Sequence, residues 1–206
     1  MTFTISLTLA IVLLTVGTSV AALRRPALFD RLLLSPYRVA YYKEWYRVLT
    51  HGFVHAGYVH LAVNMLVLYS LGEAVERLFA QAGLPRGHYL LLYFGGMAAA
   101  TLTTLAKRRR DPAYAAVGAS GAVSAVLFAY ILLQPWGRLY LMGLIPIPCA
   151  VFGPLYLLYS SRMSRRPGSG VNHAAHLYGA LFGLLYPVAA DPYLLGRVAD
   201  QLLDHL

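Results

Sequence analysis

Four side chains set in apolar surroundings carry the chemistry open to this sequence. His60 and Asn64 stand in VHLAVNM, Ser120 in GASGAVSA and His176 in NHAAHLYGALFG. A serine hydroxyl becomes a nucleophile when a histidine within about 3 Å accepts its proton. The oxyanion that such an attack raises on an acyl group then needs hydrogen-bond donors. The Asn64 amide, the His60 ring and the Ser120 backbone N–H could supply them. His60 and Asn64 are spaced i, i+4 and share one helix face, as do Ser120 and Ser124. No Asp or Glu lies near His176 in the sequence, so the expected unit is a Ser–His dyad without a third carboxylate.

Glycines accompany both members of that pair. Gly118 and Gly121 flank Ser120, and Gly179 and Gly183 follow His176 at i+3 and i+7. Faces of small residues let two helices approach closely in a membrane. Taken singly, each residue has a plainer reading: a serine among glycines packs helices, and a lone histidine bonds a neighbouring helix. It is their combination that favours catalysis. HGFVH places His51 and His55 at i, i+4 like half a metal site, but it lacks the Glu of HExxH and an evident third ligand. No metal and no cofactor are therefore expected. His173, at the start of its helix, is expected to be exposed. Cys149 is the only cysteine, which excludes an intrachain disulfide.

The elements that must position these groups are apolar. Hydrophobic residues make up 59% of the 206 and charged residues 12%, too little polar surface to coat a globule. A polytopic membrane protein is expected. Six segments approach the ~20 residues that a bilayer core requires: about 3–22, 55–74, 88–106, 113–133, 139–160 and 173–190. The expected fold is all-α, one six-transmembrane-helix domain over 1–206 with 191–206 as a tail. The end of that tail, VADQLLDHL, is mildly amphipathic and suits the membrane surface. The first segment reads as a span rather than a signal peptide, because no Lys or Arg precedes it and it exceeds a usual h-region.

With six spans, the second, fourth and sixth begin on the same side. Each carries its polar groups near that end, about 5–15 Å deep at the helical rise per residue. The long stretch 24–54 mixes Tyr37, Tyr41, Tyr42, Trp45 and Tyr46 with Arg and Lys, a composition suited to the headgroup layer. The net charge of +9 sits in short clusters between apolar runs, so membrane lipids rather than nucleic acid are the expected partners.

These residues together resemble the rhomboid family of intramembrane serine proteases. The resemblance covers about residues 44–188 and rests on EWYRVLTHGFVHAGYVHLAVNM (44–65), GEAVERLF (72–79), GASGAVSA (118–125) and AHLYGALFG (175–183). It implies a six-helix core in a bacterial plasma membrane, transmembrane protein substrates and a metal-free Ser–His dyad. By position, Ser120 would be the nucleophile and His176 the base. His60, Asn64 and Gly118 would serve the oxyanion side, and Gly121, Gly179 and Gly183 the close packing. Trp45 and Arg47 match the family's Trp-Arg pattern in a first loop that embeds in one leaflet, and Glu76 a structural acidic position. A non-catalytic, rhomboid-like binder of membrane helices is the alternative.

The chain departs from the family's pattern at Ser124, where many members carry an aromatic that stacks on the histidine. Tyr178 is a candidate to take over that ring contact. Charge raises a second tension. Of the 17 Lys and Arg, 13 lie on the face where the second, fourth and sixth spans begin. The positive-inside rule would turn that face, and the site, toward the cytoplasm. The resemblance implies an outward-opening site, which is the orientation expected here. The loop SSRMSRRPGSG (160–170) has the glycines and polarity of a movable cap. The sequence sets no oligomeric state.

Overall fold

The computed structural model describes residues 5–141, 144–166 and 172–203. Helix α1 (Leu7–Leu23) starts at Ser6, whose Oγ accepts from Leu9 N. Glu76, seventy residues away, closes the same end by accepting from Ser6 Oγ, Leu7 N and Thr8 N at 3.0, 3.1 and 2.7 Å. A carboxylate at a helix N-terminus satisfies free N–H groups and complements the dipole. Glu76 thus pins the first helix to the element that carries His60 and Asn64.

The stretch 24–54 folds into short helices, α2 (Pro26–Leu32), α3 (Pro36–Tyr42) and α4 (Arg47–Thr50), and a 3₁₀ turn at His51–Phe53. Proline opens both α2 and α3, where its missing N–H is not needed. Arg47, 1% exposed, holds these pieces together. Its guanidinium pairs with Glu44 and donates to the carbonyls of Asp30 and Leu33. Trp45, by contrast, is 59% exposed.

The longer helices follow: α5 (Tyr58–Gln81), α6 (Gly87–Arg108), α7 (Ser120–Leu133), α8 (Cys149–Met163), α9 (His173–Ala190) and the short α10 (Tyr193–Leu203). Among the described residues, α5 and α6 are long and apolar enough to cross a membrane, and α1 and α7 are apolar but shorter. Helix α7 is central, packed against α5, α6 and α9 and more lightly against α8. Nearly all of its residues are buried.

Two segments differ from expectation. Helix α7 begins at Ser120, not near 113, because Gly118 turns the chain at φ +113° and Leu34 and Ala116 form a two-way bridge just before it. The segment 139–160 is not one helix, so the fold is not purely helical. Strands Arg138–Leu141 and Ile145–Pro148 pair antiparallel, Arg138 opposite Pro148, before α8 starts. Pro146 and Pro148 lack the N–H that a helix interior requires, which excludes a continuous helix there.

Candidate active site

The crossing of α7 and α9 brings the two candidate segments together. A Cβ built on Gly179 would fall 2.1 Å from the Gly121 carbonyl oxygen, and one on Gly183 2.1 Å from that of Ala125. The two backbones therefore touch with no side chain between them. Gly121 also lies against the carbonyl of Ala175. Ser120 immediately precedes one contact residue and His176 immediately follows another, so the crossing puts the two on adjacent positions of facing helices. Among the described residues no hydrogen bond joins their side chains. In a free enzyme such bonds are often long and tighten on substrate binding.

Local contacts fix the approach to Ser120. The Gly118 N–H donates to the His51 carbonyl at 2.9 Å, and the Ala119 N–H to His55 Nε2 at 3.3 Å. His55 Nδ1 lies 2.9 Å from Ser19 Oγ, which donates to the Phe53 carbonyl. Since Nε2 accepts, Nδ1 carries the proton, and the ring's tautomer follows from its partners. His51 Nδ1 contacts the Arg47 carbonyl at 2.9 Å, and burial pushes this imidazole down to about 4, so it stays neutral. The HGFVH histidines are thus structural clasps of the turn before the serine. Among the described residues no three His, Cys, Asp or Glu converge to hold a metal ion.

Of the other expected groups, His60 packs directly on this turn. A Cβ on Gly118 would come 2.7 Å from His60 Cε1, so the glycine is required by that ring as well as by its φ. Because the Gly118 N–H is engaged, its contribution is space for His60 rather than a donor. Asn64 is buried and donates one amide hydrogen to the His60 carbonyl at 2.9 Å, and among the described residues the second has no bond. A cavity of about 30 Å³, room for a water molecule, lies behind Ser120, lined in part by His51, Thr101, Asn172 and Ala175.

Three features were missed in the sequence. Asn172 caps α9 by accepting from Ala175 N at 3.1 Å, and its Nδ2 donates to Thr104 Oγ1 at 2.8 Å, which ties the histidine-bearing helix to α6. The side-chain type one residue before HAAH was a readable cap signal. Ser124, 4% exposed, shares a 2.9 Å hydrogen bond with Tyr156 OH of α8. His173 is 6% exposed, not surface-exposed as expected, and its ring lies against that of His176 at 6.0 Å. Tyr178 is 39% exposed. The loop 160–170 continues α8 as far as Met163, and its last residues lie outside those described.

Against known proteins, residues 42–190 match the Rhomboid domain, most of the chain. The chain is similar to Rhomboid protease GluP of Bacillus subtilis, 33% identical over 139 residues that cover 68% of this chain and 25% of that protein. It is also similar to RHOMBOID-like protein 12, mitochondrial, of Arabidopsis thaliana, 31% identical over 144 residues that cover 65% of this chain and 43% of the relative. The chain spans a quarter to under half the length of these two. A mostly helical, membrane-embedded architecture with a partly buried serine and histidine on facing helices is the class these observations define. The chain belongs to the rhomboid family.

Proposed function

We propose that the chain is a six-span intramembrane serine endopeptidase of a bacterial plasma membrane that cleaves transmembrane segments of other proteins. The observation that supports this reading is the glycine crossing of α7 and α9, whose contact residues Gly121 and Ala175 neighbour Ser120 and His176 in sequence. Ser120 Oγ attacks the scissile carbonyl carbon while His176 takes its proton. The oxyanion is held by the Ser120 N–H, the His60 ring and the free Asn64 amide hydrogen. His176 then protonates the departing amine as the C–N bond breaks, and water hydrolyses the acyl-serine.

A helical substrate shields its own carbonyls, so the cut falls where Gly or Pro weakens the helix. No metal or cofactor enters these steps, and the site opens on the face bearing the 24–54 stretch. A cysteine at position 109 labelled by an impermeant reagent in intact cells supports that outward face; protection there turns it to the cytoplasm.

The test is cleavage of a fluorescent transmembrane substrate by purified Ser120→Ala and His176→Ala, with fluorophosphonate labelling of the parent. Both variants are expected to be inactive and Ser120 to label. Activity at the parental level in either variant overturns the dyad. A chain that only captures membrane helices would bind substrate and not label.

A further inference from the structure

His176 has a conspicuous lack: among the described residues its ring has no hydrogen bond to set its tautomer or its plane. Only its backbone is engaged, with N–H donating to the Asn172 carbonyl at 3.3 Å. A general base must aim one nitrogen at the serine hydroxyl, so something else must hold the ring. The surroundings offer packing. His173 lies one turn earlier on the same helix face, and its ring meets that of His176 edge to face, centroids 6.0 Å apart at 76°. Tyr159 of α8 also meets the His173 ring edge to face, 5.4 Å apart at 86°. Both separations fall within the range of favourable aromatic pairs.

The His173 ring is used here as a ring. It is 6% exposed, and its Nδ1 is buried with no hydrogen-bond partner among the described residues. A buried polar atom left without a partner is unfavourable, so Nδ1 does not account for the position of His173, while its ring contacts do bear on the neighbouring histidine. The site of the other ring that could lie near the dyad, Ser124, is taken up by its bond to Tyr156.

We propose that His173 is a positioning residue: its ring, backed by Tyr159 across the α8–α9 contact, holds the His176 imidazole in the orientation that accepts the Ser120 proton. The inference rests on the protease reading above and deepens it. It makes α8 part of the catalytic arrangement, since Tyr159 reaches the base through His173. Loss of the ring should leave substrate binding intact and slow the proton transfer.

The experiment compares His173→Ala, His173→Phe, Tyr159→Ala and Ser120→Ala in the full chain, purified and reconstituted in lipid vesicles, with kcat and KM measured separately. His173→Ala should lower kcat by about 10-fold or more, as expected of a misaimed base, with KM nearly unchanged. His173→Phe restores a ring and should return kcat to within about threefold of the parent. Tyr159→Ala should fall between them. Parental kcat in His173→Ala, or His173→Phe as impaired as the alanine variant, overturns the proposal. Should His173→Ala fail to fold, parental kcat in Tyr159→Ala overturns it instead. Full activity in Ser120→Ala would sink the protease reading itself, an outcome separate from any result at His173.

Discussion

Helix α7 meets its two neighbours α9 and α8 in opposite ways. Toward α9 the contact is backbone on backbone: Gly179 and Gly183 have room for no side chain against the carbonyls of Gly121 and Ala125. Toward α8 it is side chain on side chain. Ser124 bonds Tyr156, Phe128 packs on Tyr156 at 5.3 Å, and the nearest atom to a Cβ on Gly153 is Ile131 Cγ2 at 3.2 Å. A backbone contact has one geometry, while side chains can change rotamer and let a helix shift. Ser120 and His176 flank the first kind of contact, while the second kind ties α8, and with it Tyr159, to α7 through side chains that can repack. Substitutions on the two faces of α7 should therefore differ sharply in effect.

The largest effect is expected at Gly183. Gly183→Leu forces α7 and α9 apart, and neither carbonyl nor helix can yield without repacking the core. A loss of about 3 kcal/mol or more is expected, read as a collapse of the thermal midpoint in micelles together with cleavage. Gly179→Ala is milder in volume but sits beside Ser120. Its stability should fall by about 1–3 kcal/mol, and kcat by about 100-fold if the dyad separates by an ångström. Parental activity in Gly179→Ala would show that the crossing does not set the site.

Next comes the same substitution on the other face. Gly153→Ala adds one methyl against a side chain that can turn, and should cost less than about 1 kcal/mol, with cleavage retained. Equal losses at Gly153 and Gly179 would remove the distinction between the two contacts.

What the sequence disclosed divides along the same line. The α7–α9 contact was readable because its glycines repeat at helical spacing around Ser120 and His176, a pattern local to each segment. The start of α7 was not: 113–119 is small and apolar enough to pass as helix, and only the bridge from Leu34 and the conformation of Gly118 stop it. The hairpin at 138–148 was hidden in an apolar run, although Pro146 and Pro148 argued against a helix. The partners of Ser124 and His55, and the Tyr159 contact of His173, come from distant segments, so no spacing rule could name them, whereas His173 meets His176 at a legible i, i+3 spacing. The departure from the family's aromatic pattern at Ser124 was visible in the sequence; Tyr156 as its partner was not.

The Ser124–Tyr156 bond tests how much that side-chain contact contributes. Tyr156→Phe removes the hydroxyl that Ser124 bonds, and Ser124→Ala removes one of the two serine hydroxyls, Ser124 and Ser160, beside Tyr156 OH, each for an expected loss of about 1–2 kcal/mol. The double variant removes both groups and should cost less than the sum of the singles, the signature of a direct interaction. Additive losses would mean that the 2.9 Å contact contributes nothing.

The smallest expected effect concerns movement rather than stability. Cys149, the first residue of α8 and the only cysteine in the chain, is fully buried among Leu127, Phe128, Ile131 and Ala180. It is a native reporter of α8 leaving α7, because a thiol reagent reaches it only when that cluster opens. In the parent, labelling should be slow. In Tyr156→Phe the opening equilibrium gains about 1 kcal/mol, so labelling should quicken by about fivefold while the global midpoint barely moves. Gly179→Ala, which strains the other face, should quicken Cys149 labelling only in proportion to its global loss of stability. If both variants change labelling and midpoint in step, α8 and α9 leave α7 together, and the side-chain contact gives α8 no motion of its own.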